Sequence, residues 1–206
     1  MREVGFEELL WLRGRGLPRS LCYWLMTLPD PFRRVLMMSG GVDYPIHKSQ
    51  VSWVFGLPHG PKTVGERVKE GEMQSTIERF LSKFKKAEHL VIPMGLVRNR
   101  FKDGWCEADE EEFKACFMVV ALGDFLRPTT CSRFPKPLYA AVGLARRTRE
   151  YDWCQMVVDR LMRAGWLFSK KFYEDGFAAG CGGCTYFLAV RFLCLWPSYL
   201  PTCQFV

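Results

Sequence analysis

The sequence predicts an all-α protein, a single compact bundle of about eight to ten short amphipathic helices joined by irregular loops. Apolar residues recur three and four positions apart along most of the chain, which is the spacing of a helix face, whereas strand-like alternation is scarce. The apolar stretches end at Gly or Pro, which terminate helices. The chain has 206 residues, 49% hydrophobic and 25% charged. We therefore expect one domain over residues 1–206 with a substantial core.

Three short helices are predicted near the N-terminus, at residues 6–16 (FEELLWLRGRG), 18–28 (PRSLCYWLMTL) and 31–41 (PFRRVLMMSGG). Pro18 suits the first turn of the second helix. The buried stripe of that helix is expected to contain Leu21, Trp24, Leu25 and Leu28.

A fourth helix is predicted within residues 43–68, and Gly56 is expected to end it as a left-handed cap before Pro58. Its apolar face is traced by Val51, Val54 and Phe55 with Ile46 or Gln50. A fifth amphipathic helix is predicted at residues 75–86, where Ser75 and Glu78 fit a capping box.

The middle of the chain contains a loop or hinge and then the most apolar helix. Residues 93–108 are rich in Gly, Asn, Asp and Arg, which favours a loop. Residues 108–130 begin with four consecutive acids, which suit the positive end of a helix dipole, and continue into a nearly all-apolar stretch. We expect this helix to be central in the core. Three more helices are predicted at 137–151, 151–172 and 184–196.

The positive charge of the chain is concentrated in one region. The formal net charge is +7, and the span from Arg127 to Tyr173 contains only three acids, Glu150, Asp152 and Asp159. Its basic residues, the candidate binding face, are Arg127, Arg133, Lys136, Arg146, Arg147, Arg149, Arg160, Arg163, Lys170 and Lys171. Such a field attracts nucleic acid, anionic lipid or an acidic protein face. The alternative is a solvated helix face, since no aromatic-stacking motif separates the short clusters.

The cysteines and the N-terminus indicate a reducing compartment, the nucleus or the cytoplasm. The nine cysteines are an odd number, and the first residues contain neither a secretory apolar core nor the acid-poor composition of a mitochondrial transit peptide. No stretch reaches the roughly 18 apolar residues of a transmembrane helix. The most apolar stretch, 184–196, carries Arg191 and is interpreted as a buried or interfacial helix.

Cys181 and Cys184 form a CxxC motif directly before the last helix, for which redox, metal-binding and structural roles are all conceivable. A thioredoxin-like site needs a preceding strand, and a zinc site needs four ligands. No second CxxC or His pair occurs, because His47, His59 and His89 lie far apart in the sequence. The structural interpretation is favoured: Gly180, Gly182 and Gly183 permit a tight turn, and Cys184 is a small buried residue.

No catalytic, cofactor or metal site is predicted. Cys181 or Cys154 would need a histidine base, and neither stands in a recognisable nucleophile signature. Phosphate-cradling GxxxxGK[ST] and GxGxxG motifs do not occur in the sequence. We therefore expect a protein that is not an enzyme.

Five segments, in this order, resemble the plant mobile domain-like proteins. They are LPRSLCYWLMTLPDPFRRVLMMSGG, VSWVFGLPHGPK, VVALGDFLRPTT, YDWCQMVVDRLM and GGCTYFLAVRFL. This family includes transposon-associated domains that in grasses are often found beside a ubiquitin-like-protease module. The resemblance covers residues 17–193, and its motifs concern packing and turns.

The resemblance implies an all-helical domain of transposon origin whose relatives act through protein partners in silencing, genome maintenance and gene expression. It supplies no catalytic residue: no peptidase is appended, and no lysine stands out for the pyridoxal phosphate that the name aminotransferase-like implies. The tail at 194–206 departs from the family pattern, which suggests a truncated or frame-altered end. Its Trp196, Tyr199 and Phe205 are expected to be exposed.

Two functions follow as hypotheses. The first is a noncatalytic interaction domain in the nucleus or cytoplasm that contacts an acidic protein or nucleic acid through its basic region and acts in gene silencing or genome regulation. The alternative is a selfish-element toxin or antidote in reproductive cells, acting through protein or organelle-membrane contacts.

Overall fold

The computed structural model describes residues 5–11, 16–38, 40–65, 78, 82–84, 92–128, 133–176 and 181–195. Most of these residues are helical. The α-helices within these ranges are α1 (Arg19–Met26), α2 (Lys48–Phe55), α3 (Met94–Arg100), α4 (Glu110–Val120), α5 (Tyr139–Val142), α6 (Trp153–Asp175) and α7 (Thr185–Leu195). Single 3₁₀ turns cover Glu7–Trp11, Glu107–Asp109, Lys136–Leu138 and Thr148–Glu150, and a π-helical turn covers Ala121–Leu126.

Three small sheets accompany the helices, so the prediction of a mostly helical protein is confirmed and that of a purely all-α protein is wrong. An antiparallel sheet contains β1 (Pro29–Asp30), β2 (Val35–Met37) and β3 (Asp43–Pro45). The other two sheets are pairs: β4 (Lys62–Thr63) runs parallel to β7 (Tyr151–Asp152), and β5 (Ile92–Pro93) runs antiparallel to β6 (Arg133–Phe134). Each strand has only two or three residues, too few for a pattern of alternation to show in the sequence.

The predicted helix at 31–41 is wrong, because this segment forms a turn followed by β2. The carboxylate of Asp30 accepts hydrogen bonds from the backbone N–H groups of Phe32 (2.9 Å) and Arg33 (3.0 Å). These bonds fold the chain back after β1, and Arg34 completes the turn with a φ of 55°. The apolar residues that suggested a helix face belong instead to a strand, of which Leu36 is buried. The short polar side chain of Asp30, which lies between Pro29 and Pro31, therefore favours a turn here despite the helical spacing of the apolar residues.

Helix α1 is confirmed, although its predicted buried stripe is only partly correct. Leu25 is fully buried, and Leu21 and Leu28 are partly buried against the core. Trp24 is 41% exposed. Its ring meets that of Phe192 in α7 edge-on, with centroids 4.7 Å apart, so it covers the contact between the two helices from outside.

Helix α2 ends as the sequence predicts. Gly56 adopts φ 62° and ψ 18° and donates its N–H to the carbonyl of Ser52. Val51 and Phe55 are buried, as is Ile46 just before the helix. Most of the helix predicted at 75–86 lies outside the described residues. The described residues of this segment, Glu78 and 82–84, are helical, and Phe84 is buried.

The predicted loop at 93–108 is wrong in its first half, which is α3. Charged side chains tie α3 to its neighbours: Arg98 donates to Asp124, and Arg100 donates to Glu112 at 2.7 Å. Burial alone would raise the pKa of Glu112, but the hydrogen bonds from Lys83 and Arg100 outweigh it and lower that pKa. The polar residues that suggested a loop thus hold a helix in place.

Helices α4 and α6 form the centre of the core. The prediction that α4 is central is confirmed, because its residues from Lys114 to Val119 are all buried. Lys114 keeps its charge paired with Glu110 at 2.7 Å. The helix predicted at 137–151 is wrong in extent: α5 has only four residues, a 3₁₀ turn precedes it at Lys136–Leu138, and the chain leaves the helix in a turn from Gly143.

Helix α6 has 23 residues and is anchored at its first residue. Trp153 is fully buried, its indole Nε1 donates to the carbonyl of Thr148 at 2.8 Å, and its ring meets that of Phe6 edge-on. The carboxylate of Asp152 accepts the N–H of Gln155 and caps the helix. The direction in which α6 leaves the core is therefore determined at this end.

The segment before α7 approaches α6 closely at Gly183. A Cβ atom added there would lie 2.9 Å from Cβ of Ala164, and the φ of Gly183 is +79°. The predicted role of glycine at this turn is thereby confirmed for Gly183, whereas Gly180 lies outside the described residues.

We predict that Gly183→Ala lowers the free energy of unfolding by about 1–3 kcal/mol, because alanine is strained at this φ and its methyl group would overlap Ala164. Gly182→Ala is the matched control: its added Cβ would make an ordinary 3.6 Å contact with the same Ala164, so a change below about 1 kcal/mol is expected. Urea denaturation of the two variants measures the difference. Equal destabilisation by both would contradict the close approach.

Candidate anion-binding cleft

The structure brings four of the predicted basic residues together around one cavity of about 280 Å³. They come from two parts of the chain: Arg127 follows the π-helical turn, and Arg160, Arg163 and Lys171 lie on one face of α6, while the segment before α7 adds an uncharged wall. We call this cavity the basic cleft. Its lining residues are Arg127, Pro128, Arg160, Arg163, Ala164, Leu167, Phe168, Lys171, Cys181, Gly182 and Gly183.

Helix α6 supplies one wall of the basic cleft. The lining positions 160, 163, 164, 167, 168 and 171 are spaced three and four apart, so they share one face of the helix. Phe168 is 3% exposed and joins this wall to the core. Arg163 and Lys171 are exposed and Arg160 is partly buried. The wall therefore has an apolar base and a cationic outer edge.

The π-helical turn after α4 positions Arg127. Leu122 and Leu126 in that turn are fully buried, and the N–H of Arg127 donates to the carbonyl of Leu122 at 2.8 Å. Arg127 leaves the helix with φ −140°. One widened turn thus ends the helix and places a guanidinium opposite α6, in keeping with the frequent occurrence of such turns at functional sites.

The third wall is backbone rather than side chain. Cys181, Gly182 and Gly183 line the cleft immediately before α7 begins at Thr185. Glycines leave the peptide groups accessible, and the N-terminus of a helix carries partial positive charge. The backbone dipoles on this side add to the field of the four cations.

None of the described residues that line the cleft is acidic. Within the described part of the chain, neither Arg163 nor Lys171 forms an ion pair or hydrogen bond with a carboxylate. Like charges gathered in a concave site raise the local concentration of anions. What this arrangement can do chemically is bind a compact anion.

The other six predicted basic residues lie elsewhere. Arg146 donates to Glu111, and Arg147 forms a two-pronged pair with Glu150 at 2.7 Å. Together with Lys62, Arg147 lowers the pKa of Glu150 to about 2. Lys170 places its Nζ 5.8 Å from the ring centre of Trp166. Three further residues, Arg133, Lys136 and Arg149, are exposed outside the cleft.

The CxxC thiols are not activated. Cys184 is fully buried, and burial raises the pKa of its thiol to about 12. Burial likewise raises the pKa of Cys181 to about 11. The predicted burial of Cys184 is confirmed. The described residues include no group of three or more His, Cys, Asp and Glu side chains that could hold a metal ion.

The sequence predicted the four basic residues of the cleft as part of a binding face, but it did not distinguish them from the six basic residues that lie outside the cleft. One signal was available, namely the helical spacing of Arg160, Arg163, Leu167 and Lys171. Arg127 and the glycine wall carried no such signal, because long-range packing places them there.

Comparison with known proteins gives the family. Residues 1–189 match the family described as a domain of unknown function (DUF8566), so the chain belongs to that family. No curated protein and no solved structure matches the chain. Nothing in these comparisons connects it to the plant mobile domain-like proteins, and that resemblance stays a prediction. Among the described residues, no helix combines the length and the apolar character needed to cross a membrane.

We predict that native-state alkylation with iodoacetamide labels the exposed Cys106 and Cys194 well before Cys184, because a buried thiol with a raised pKa offers almost no accessible thiolate. Peptide mass spectrometry after timed quenching measures the order, and urea-unfolded protein, in which all thiols react, is the control. Labelling of Cys184 as fast as that of Cys106 would contradict a purely structural role.

Proposed function

We propose that this chain is a noncatalytic interaction domain that binds an anionic partner through the basic cleft. One observation carries the proposal: Arg127 from the π-helical turn and three cations of α6 line one cavity, and none of its described lining residues is acidic. A concave site lined by charges of one sign concentrates ions of the opposite sign, which favours the binding of an anion.

The absence of an enzymatic role belongs to the same proposal. The thiols of Cys154, Cys181 and Cys184 all have a pKa raised to about 11 or 12 by burial, so they are poor nucleophiles at neutral pH. The described residues that line the cleft include no His, Asp or Glu, the side chains most often used as a general base.

The cellular role is proposed from the resemblance in the sequence. A transposon-derived domain acting through partners in gene silencing or genome regulation, in the nucleus or cytoplasm, would need such a binding site. The toxin or antidote alternative would act in reproductive cells through protein or organelle-membrane contacts, and of the tail at 194–206 the structure describes only positions 194 and 195.

The test uses a charge reversal in the cleft and the same reversal one residue away. Lys171 lines the cleft, whereas Lys170 lies beside Trp166 and does not. We predict that Lys171→Glu weakens binding to fluorescent anionic probes, polyglutamate and a single-stranded oligonucleotide of about 20 nucleotides, by about tenfold or more for whichever probe binds. Lys170→Glu is expected to change binding by less than about twofold, since it alters net charge but not the cleft.

Fluorescence anisotropy measures the affinities, and circular dichroism with urea denaturation shows that both variants fold. Equal losses in the two variants would mean that net charge alone attracts the anion. Undiminished binding by Lys171→Glu would show that the anion does not bind in the cleft.

A further inference from the structure

We infer that the occupant of the basic cleft is a phosphorylated side chain of a partner protein rather than a nucleic-acid backbone. This inference rests on the proposed function and specifies its partner. Four features of the site carry it: the size of the cleft, the interruption of positive charge around it, the type of cation that lines it and its apolar edge.

The cleft is large enough for one anionic group and its neighbours. Its volume of about 280 Å³ lies at the lower end of the roughly 300–1,000 Å³ of small-molecule sites. A groove that follows a single strand accommodates several successive nucleotides, about 4–16 in an oligonucleotide-binding fold. The cleft is half open, and its volume suits one phosphate group and its neighbours better than a run of successive phosphates.

Carboxylates interrupt the positive charge along α6 on the C-terminal side of the cleft. On the N-terminal side, Asp159 is neutralised by its pair with Arg34 at 2.8 Å. On the C-terminal side, Glu174 and Asp175 are exposed within four residues of Lys171. A nucleic-acid backbone would meet these carboxylates on leaving the cleft, and the repulsion would weaken binding. The cations therefore form an isolated patch rather than a continuous track.

The cations of the cleft suit phosphate better than carboxylate. Three of the four are arginines, and Arg163, which donates to no carboxylate among the described residues, can present the paired donors of its planar guanidinium group to two oxygens of one phosphate. A phosphate monoester carries about −1.5 to −2 charges at neutral pH and three acceptor oxygens, against one charge on a carboxylate. The wall of Cys181, Gly182 and Gly183 before α7 offers backbone groups at a helix N-terminus, a further feature of phosphate sites.

The edge of the cleft is apolar, which suits a protein partner. Leu167 lines the cleft and is 40% exposed, and the adjacent Trp166 is 44% exposed. Lys170 lies over the Trp166 ring, so that face of the ring is less open to a stacking base. Side chains that flank a phosphorylated residue could pack on Leu167. Recognition of phosphorylated segments by arginine clusters is a common mode of protein interaction.

The experiment compares four probes by fluorescence anisotropy: a degenerate peptide library with a central phosphoserine or phosphothreonine, the same library unphosphorylated, the same library with glutamate at the centre, and a single-stranded oligonucleotide. We predict that the phosphorylated library binds at least about tenfold more tightly than the glutamate library. Inorganic phosphate should compete with it. Lys171→Glu should abolish the preference, and Lys170→Glu should preserve it.

Arg163→Lys adds a test of geometry, because it keeps the charge but removes the planar fork. In this variant, the ratio of the affinity for the phosphorylated library to the affinity for the glutamate library should fall at least about threefold. Its affinity for the glutamate library should stay within about twofold of that of the unsubstituted protein.

The outcomes separate this inference from the proposed function. If the oligonucleotide or the glutamate library binds as tightly as the phosphorylated library and Lys171→Glu weakens that binding, the cleft binds anions but the phosphate inference is wrong. If no probe is sensitive to Lys171→Glu, both proposals fail. Equal phosphate preference in Arg163→Lys and the unsubstituted protein would contradict recognition by arginine.

Discussion

The structure depends on the way in which α6 is held at its first residue. Trp153 is completely buried, its indole donates to the carbonyl of Thr148, and the side chain of Asp152 caps the helix beside it. This anchor fixes the position of a helix that has two different faces. Val157 and Leu161 are fully buried in the core, and the adjoining face, which lines the cleft, carries Arg160, Arg163 and Lys171. Because the apolar face must stay packed, the cationic face cannot turn away to relieve repulsion between its charges.

The other walls of the cleft are held by packing of the same kind. Leu122 and Leu126 bury the π-helical turn that presents Arg127, and Gly183 allows the segment before α7 to contact Ala164 of α6. The charges therefore converge because apolar contacts place them there. In the proposed function, a bound anion relieves the electrostatic cost of this arrangement, which the core otherwise offsets. Among the described residues, Arg98, Arg100, Arg146 and Arg147 all donate to carboxylates, whereas Arg163 and Lys171 of the cleft do not.

The sequence predicted the elements whose signals are local and long. The spacing of apolar residues indicated α4, α6 and α7, and Gly56 marked the end of α2. The spacing of apolar residues gave wrong predictions where hydrogen bonds from side chains decide the local structure. The carboxylate of Asp30 folds residues 31–34 into a turn. Ion pairs from Arg98 and Arg100 stabilise a helix in a polar stretch. The strands are too short to show alternation. For the site, the sequence identified the basic residues. Which of these basic residues line the cleft and which lie elsewhere depends on contacts between distant segments, and the spacing of residues does not reveal those contacts.

The central claim is that the basic cleft is a preformed site for a compact oxyanion, and titration of isotope-labelled protein with inorganic phosphate tests it most directly. We predict that the largest NMR shift changes occur at the backbone amides of Gly182 and Gly183 and at the side-chain Nε–H groups of Arg127, Arg160 and Arg163, all with one saturating binding curve. Signals from the ion-paired Arg146 and Arg147 should stay in place. Small, non-saturating changes spread over all the arginines would contradict the account, because they would show that phosphate senses only the net charge of the surface.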